Sequence, residues 1–147
     1  MQPSSTEAAE ALAAMRASQA RLAQAADCPP ERHLVFGALM GGIIATPALP
    51  FPYAILAEGL LLLGIGLVVR WDRRRTGMFI NGYRRGKTRV VAFGILVVEL
   101  ALYSASVWLA LGINDHTMPL LLGLAGLLIA IGGSIMWQRV FASELGA

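Results

Sequence analysis

The sequence predicts an all-α integral membrane protein in which an N-terminal amphipathic helix precedes four transmembrane helices arranged as two hairpins. Three observations lead there. Of 147 residues, 56% are hydrophobic and only 14% are charged, against about 25% charged in a soluble domain. Lipid-facing surface explains that shortfall, and the mean hydropathy of +0.64 agrees with it. The apolar residues fall into four runs of about 17–22 residues, near the ~20 that a helix needs to cross a hydrocarbon core. The stretch 70–89, between the second and third runs, holds eight of the twelve Lys and Arg: Arg70, Arg73, Arg74, Arg75, Arg84, Arg85, Lys87 and Arg89.

Residues 1–32 form the first unit, cytoplasmic or interfacial. Ser4 and Glu7 have the spacing of a capping box, in which each side chain satisfies a free backbone N–H at a helix start. The Ala-rich segment that follows contains good helix formers and no Gly or Pro before Pro29. Ala8, Leu12, Met15, Gln19, Leu22 and Ala26 alternate by four and three, which suits an amphipathic helix on the membrane surface or a short coiled coil. No basic segment runs directly into an apolar core here, so the stretch does not read as a signal peptide. The single cysteine, Cys28, excludes an intrachain disulfide and a C-x-x-C site. Its place before Pro29-Pro30 suggests an interfacial thiol.

The transmembrane domain is expected over 33–137. Its first span, 33–49, carries Gly37 and Gly41 in a G-x-x-x-G pair that would let another helix approach closely. Pro47, Pro50 and Pro52 close it in an uncharged turn. The second span, 53–69, is interrupted by Glu58, and the basic stretch 70–89 is expected as a loop. The third span, 90–111, carries Glu99, Tyr103, Ser104 and Ser106, and the short turn after it has no Lys or Arg. The fourth span is 119–137, followed by a tail at 138–147.

Charge fixes the orientation of this layout. With both termini in the cytoplasm of a cell whose inner membrane the chain crosses, Arg16, Arg21, Arg32, the eight loop residues and Arg139 are all cytoplasmic, as the positive-inside rule requires. Trp71 and Trp137 end the second and fourth spans at matching depths, as in an interfacial aromatic belt. The two hairpins also echo one another. Arg32, Phe36 and Gly37 match Arg89, Phe93 and Gly94, while Pro52, Gly59 and Gly66 match Pro119, Gly126 and Gly133. Both copies would start and end in the cytoplasm, making a parallel repeat. Gly59, Gly66, Gly126 and Gly133 join Gly37 and Gly41 as expected helix-packing positions.

Glu58 and Glu99 are the chemically pointed residues, because ionisable groups inside hydrocarbon are costly enough to imply a role. Counting from Arg70 and Arg89 at 1.5 Å per residue places them roughly 18 and roughly 15 Å from the cytoplasmic edge. Tyr103 and Ser106, four and seven residues after Glu99, extend a polar line on its helix face. No Lys or Arg lies within a span to pair with either acid. A lone carboxyl in low dielectric favours its protonated form. The functional expectation is therefore a small oligomeric channel or transporter passing a proton or small cation by way of Glu58, Glu99, Tyr103 and Ser106. The alternative is a non-catalytic scaffold or accessory subunit, in which the Glu side chains hold helices or subunits together and the first helix and basic loop contact a cytoplasmic partner.

Other chemistry is not expected. Gly82 to Thr88 resembles a phosphate loop, but a Walker A has four residues between its glycines and this has three, with no strand before it. Asn81-Gly82 reads better as a turn. Asp115 and His116 are too few ligands for a metal. There is no nucleophile elbow and no H-E-x-x-H, so neither an enzyme nor a cofactor is expected. The basic residues carry no base-stacking platform, which argues against nucleic acid. Anionic lipid headgroups are the expected ligands of the eight basic side chains, with Trp71, Phe79 and Tyr83 at the interface. A second copy of the chain or another membrane protein is the expected partner.

Overall fold

The computed structural model describes residues 5–25, 29–76 and 86–144, which include five α-helices. Of the positions discussed above, Ser4, Ala26, Cys28, Phe79, Asn81, Gly82, Tyr83, Arg84 and Arg85 lie outside the described residues, as do residues 145–147 of the tail. So do the side chains of Gln19, Arg21, Leu22 and Arg75. The helices are α1 (Ser5–Ala25), α2 (Pro30–Ala45), α3 (Tyr53–Thr76), α4 (Lys87–Gly112) and α5 (Met118–Glu144), and a 3₁₀ turn over Thr46–Ala48 follows α2. Three of these, α3, α4 and α5, are long and apolar enough to cross a membrane, whereas α2 has only 16 residues.

Each boundary has a local cause. Helix α2 starts three residues before the apolar run, because Pro29 is its N-cap residue and Pro30 supplies a preset φ at the first position. It ends where Pro47, having no N–H, cannot serve the Ile43 carbonyl. The Thr46 N–H and the Thr46 hydroxyl, the latter at 2.7 Å, donate to that carbonyl instead. Helix α3 runs seven residues past its apolar run, since arginine is a good helix former. Arg70, Arg73, Arg74 and Arg75 are therefore on the last two turns of α3, and Lys87 and Arg89 on the first turn of α4, not in a loop.

The turn between α4 and α5 is built by two residues. Asn114 takes a left-handed φ of 60°, a conformation its side chain tolerates, and the Asp115 N–H donates back to the Leu109 carbonyl at 3.0 Å. The Asp115 carboxylate then accepts the N–H groups of Thr117 and Met118 at 2.8 and 3.1 Å, capping the start of α5. At the opposite end of the bundle, the N-cap residue of α4 is Gly86, which has no side chain to offer. Glu144, on the last turn of α5, reaches across to accept the Lys87 N–H and the Thr88 hydroxyl. A negative carboxylate there also suits the positive end of the α4 dipole.

The bundle is held by an antiparallel seam between α2 and α5. An added Cβ on Gly37 would strike Ile131, one on Gly41 the Gly123 carbonyl, and one on Gly123 would lie 2.7 Å from the Gly41 carbonyl. The two backbones meet directly. Helix α5 also packs antiparallel on α4, with Gly133 against Ile95. Helix α3 lies along the far side of α2, its Gly64 against Leu39 and Gly42 of α2 against Leu61. An ion pair from Arg32 Nε to Asp72 Oδ2 at 2.7 Å fixes that register near the basic end.

The distribution of side chains is inverted relative to a soluble protein. Among the described residues, those buried other than glycine and proline include only four hydrophobic ones, Ile44, Ala110, Ala130 and Phe141, alongside the polar His33, Thr46, Thr88, Glu99, Ser106 and Ser134. The large apolar side chains, such as Leu60, Leu63, Val97, Leu124 and Leu128, point outward. Small and polar inside with apolar outside is how helices pack in hydrocarbon.

The expected likeness of the two hairpins is not seen in their glycines. Nothing lies within 4 Å of a Cβ added at Gly59 or Gly66, whereas their supposed counterparts Gly126 and Gly133 are tightly packed. Gly37 is likewise packed and Gly94 open. The repeat is not expressed in the packing, because α5 is central and α3 peripheral. Along α1, the side chains from 6 to 18 are all exposed, so the seam residues Leu12 and Met15 face no other helix.

The contrast between glycines is testable. Gly41→Leu should destabilise the bundle by about 1–3 kcal/mol through overpacking, and Gly59→Leu should leave stability unchanged. Thermal unfolding in mixed micelles measures both. Equal melting of the two variants would count against the α2–α5 seam.

Candidate functional site

Glu99 is the most distinctive side chain in the bundle. It sits halfway along α4, 3% exposed, and faces the junction of α4 with α2 and α5. Gly126 makes the space. A Cβ there would overlap Ile44 Cδ1 and come within 3.1 Å of Glu99 Oε2. Only a residue without a side chain lets Ile44 and the carboxyl enter the same gap. Neither carboxyl oxygen has a hydrogen-bond partner among the described residues. Buried polar groups are almost always paired, so an unpaired one calls for an explanation.

The other three expected site residues do not gather around Glu99. Tyr103 donates its hydroxyl to Glu58 Oε1 at 3.1 Å, linking α4 to α3. Glu58 is half-buried and lies on the side of the bundle where α3 and α4 pack only lightly. Ser106, fully buried, donates to the Ile44 carbonyl at 2.6 Å and so clamps the end of α2 to α4. The polar line expected on one face of α4 is thus divided into an α3–α4 link, an isolated carboxyl and a backbone clamp. No hydrogen bond joins the two glutamates.

A second buried polar contact was not anticipated. His33 is buried against α5 with Nδ1 2.8 Å from Ser134 Oγ. The signal was present in α5, whose buried positions Pro119, Gly123, Gly126, Ala130 and Ser134 recur by four and three. That stripe of small residues marks a face that a neighbouring helix approaches closely. Among the described residues, no group of three or more His, Cys, Asp or Glu could hold a metal ion. Asp115 is instead engaged as the cap of α5.

The expected headgroup residues also divide. Arg70, Arg73 and Arg74 share a groove with Gly66 and Val69 on the outer face of α3. Arg89 lies over the Phe93 ring, its guanidinium carbon 5.8 Å from the centroid. Of the two tryptophans expected in the aromatic belt, Trp71 is exposed, while Trp137 stacks on Phe141 with centroids 5.2 Å apart. No protein-family model, curated protein or solved structure matches this chain.

Proposed function

We propose that this protein is a small multi-pass membrane protein that passes a proton across the bilayer, with Glu99 as its mid-membrane carrier. The observation that carries the reading is the buried, unpartnered Glu99 carboxyl inside an inverted bundle. A metal cation would need about six oxygen ligands, and Gly126 and Ile44, which share the gap with this carboxyl, offer no side-chain oxygen. A proton needs one oxygen. Glu58 with Tyr103, at the lightly packed α3–α4 side, is a second station where a proton can be exchanged on the way to Glu99.

Four crossings support this reading. Helix α2 with its 3₁₀ turn rises about 30 Å, the thickness of a hydrocarbon core. The chain then crosses four times with both ends cytoplasmic, which agrees with the one-sided placement of Lys and Arg. A complete pathway through so few helices calls for more than one copy of the chain.

A second reading rests on α1, whose exposed Leu12 and Met15 leave its seam free for a cytoplasmic partner. The protein is then a membrane-anchored scaffold, and Glu99 contributes only to assembly.

Proteoliposomes containing a pH-sensitive dye test the first reading. Under an imposed potential, the unmodified protein should acidify or alkalinise the lumen faster than empty vesicles. Glu99→Gln should reduce that rate to background, and Glu58→Gln should slow it less. Full activity in Glu99→Gln would sink the proton carrier. Deleting residues 1–27 separates the two readings: proton flux should survive the deletion, and loss of assembly with the membrane domain intact would favour the scaffold.

A further inference from the structure

We infer that Glu99 is held occluded between two isoleucine barriers, Ile44 seated on Gly126 and Ile95 seated on Gly133. A proton reaches the carboxyl only when one of them leaves its glycine. Both glycines are on α5, seven residues apart, which is two helical turns and about 10 Å. At Gly126, Ile44 Cδ1 and Glu99 Oε2 both crowd the point where a Cβ would stand. At Gly133, Ile95 Cδ1 and Cγ1 would lie 2.6 and 2.7 Å from an added Cβ. Ile95 precedes Glu99 by four residues, so it covers the same face of α4 one turn nearer the basic end. Ile44 comes from the last turn of α2, three residues before Pro47 and away from the basic end. In both directions along the bundle, an isoleucine packed on bare α5 backbone therefore lies next to the carboxyl.

These contacts can hold and can also move. β-Branching fixes χ1 of an isoleucine in a helix, whereas the closest atom in both contacts, Cδ1, turns about χ2. Rotation about that one bond lifts Cδ1 off the glycine without shifting either backbone. The backbone behind Ile44 is fixed in turn, because the buried Ser106 hydroxyl donates to its carbonyl at 2.6 Å. An apolar constriction excludes water while it is closed, so it also stops proton exchange. Two of them keep the carboxyl from opening to both sides of the membrane at once, which is what separates a carrier from an open pore. What the barriers do rests on the reading of Glu99 as a proton carrier, and where they lie does not.

Carbodiimide labelling of the full chain in liposomes tests the barriers. Dicyclohexylcarbodiimide condenses with a carboxyl that it can reach, and peptide mass spectrometry separates Glu99 from Glu58. In the unmodified protein the half-buried Glu58 should react faster than Glu99. Ile44→Ala and Ile95→Ala should each raise the Glu99 rate about tenfold or more by easing local opening, with the Glu58 rate unchanged. Ile44→Val and Ile95→Val preserve most of the packing and should raise it less. Ile131→Ala removes the same side chain from the α2–α5 seam at Gly37 and should leave the Glu99 rate as it was. An equal rise in Ile131→Ala, or no rise in either Ile44→Ala or Ile95→Ala, overturns the proposal. Proton flux in the same vesicles keeps the two readings apart. If labelling rises as expected but no variant passes protons faster than empty vesicles, the barriers stand and the carrier falls. If flux depends on Glu99 while its labelling never rises, the carrier stands and the barriers fall.

Discussion

The contact on which the bundle depends is the meeting of two bare backbones, Gly41 on α2 and Gly123 on α5. In hydrocarbon, burying leucine side chains between helices gains little, because lipid tails are as apolar as leucine. Association must come from close van der Waals packing and interhelical hydrogen bonds. The glycine pair supplies the first. Around it, Gly37 admits Ile131, and the His33–Ser134 and Ser106–Ile44 contacts supply the second. Glycine lowers helix propensity by about 1 kcal/mol relative to alanine in water, and dispersion attraction between the two closely apposed backbones offsets this.

That seam explains why the other helices pack unequally. With α5 between α2 and α4, it carries more buried positions than any other described helix, from Pro119 to Phe141. Helix α3 touches the bundle mainly through α2 and has no buried residue in its apolar window. Its outer face is therefore covered by no other described helix. The ends of the helices are fastened by polar groups nearer the aqueous boundary: Glu144 on the start of α4, Arg32 on Asp72, and Asp115 on the start of α5. Packing holds the middle and polar contacts hold the ends.

Hydropathy located the cores of α3, α4 and α5 because hydrocarbon imposes a length, and Pro47 and Pro52 marked the hairpin turn for a covalent reason. The far ends of α3 and α5 were not legible, since basic and apolar residues continue a helix equally well and only the solvent changes. Which glycines pack was not legible either. Gly59 and Gly66 have the same spacing as Gly126 and Gly133, and only the placement of a third helix separates them. Glu99 could be singled out from composition alone. Its separation from Tyr103 and Ser106 could not, because a shared helix face at four and seven residues does not reveal that one hydroxyl crosses to α3 and the other to α2.

The buried polar groups finally fall into two kinds within one small interior, paired and unpaired. His33 and Ser134 satisfy each other, and Ser106 donates its proton to the Ile44 carbonyl. Tyr103 and Glu58 form a pair at the lightly packed side. Each of these contacts joins two helices and is complete. Among the described residues the Glu99 carboxyl joins nothing, although Gly126 and Ile44 are shaped to admit it. A group kept only for helix association would gain by donating to a neighbouring carbonyl, as Ser106 does a few residues away. Leaving the carboxyl without a partner costs stability, and the proposed role of Glu99 as a proton carrier would account for that cost.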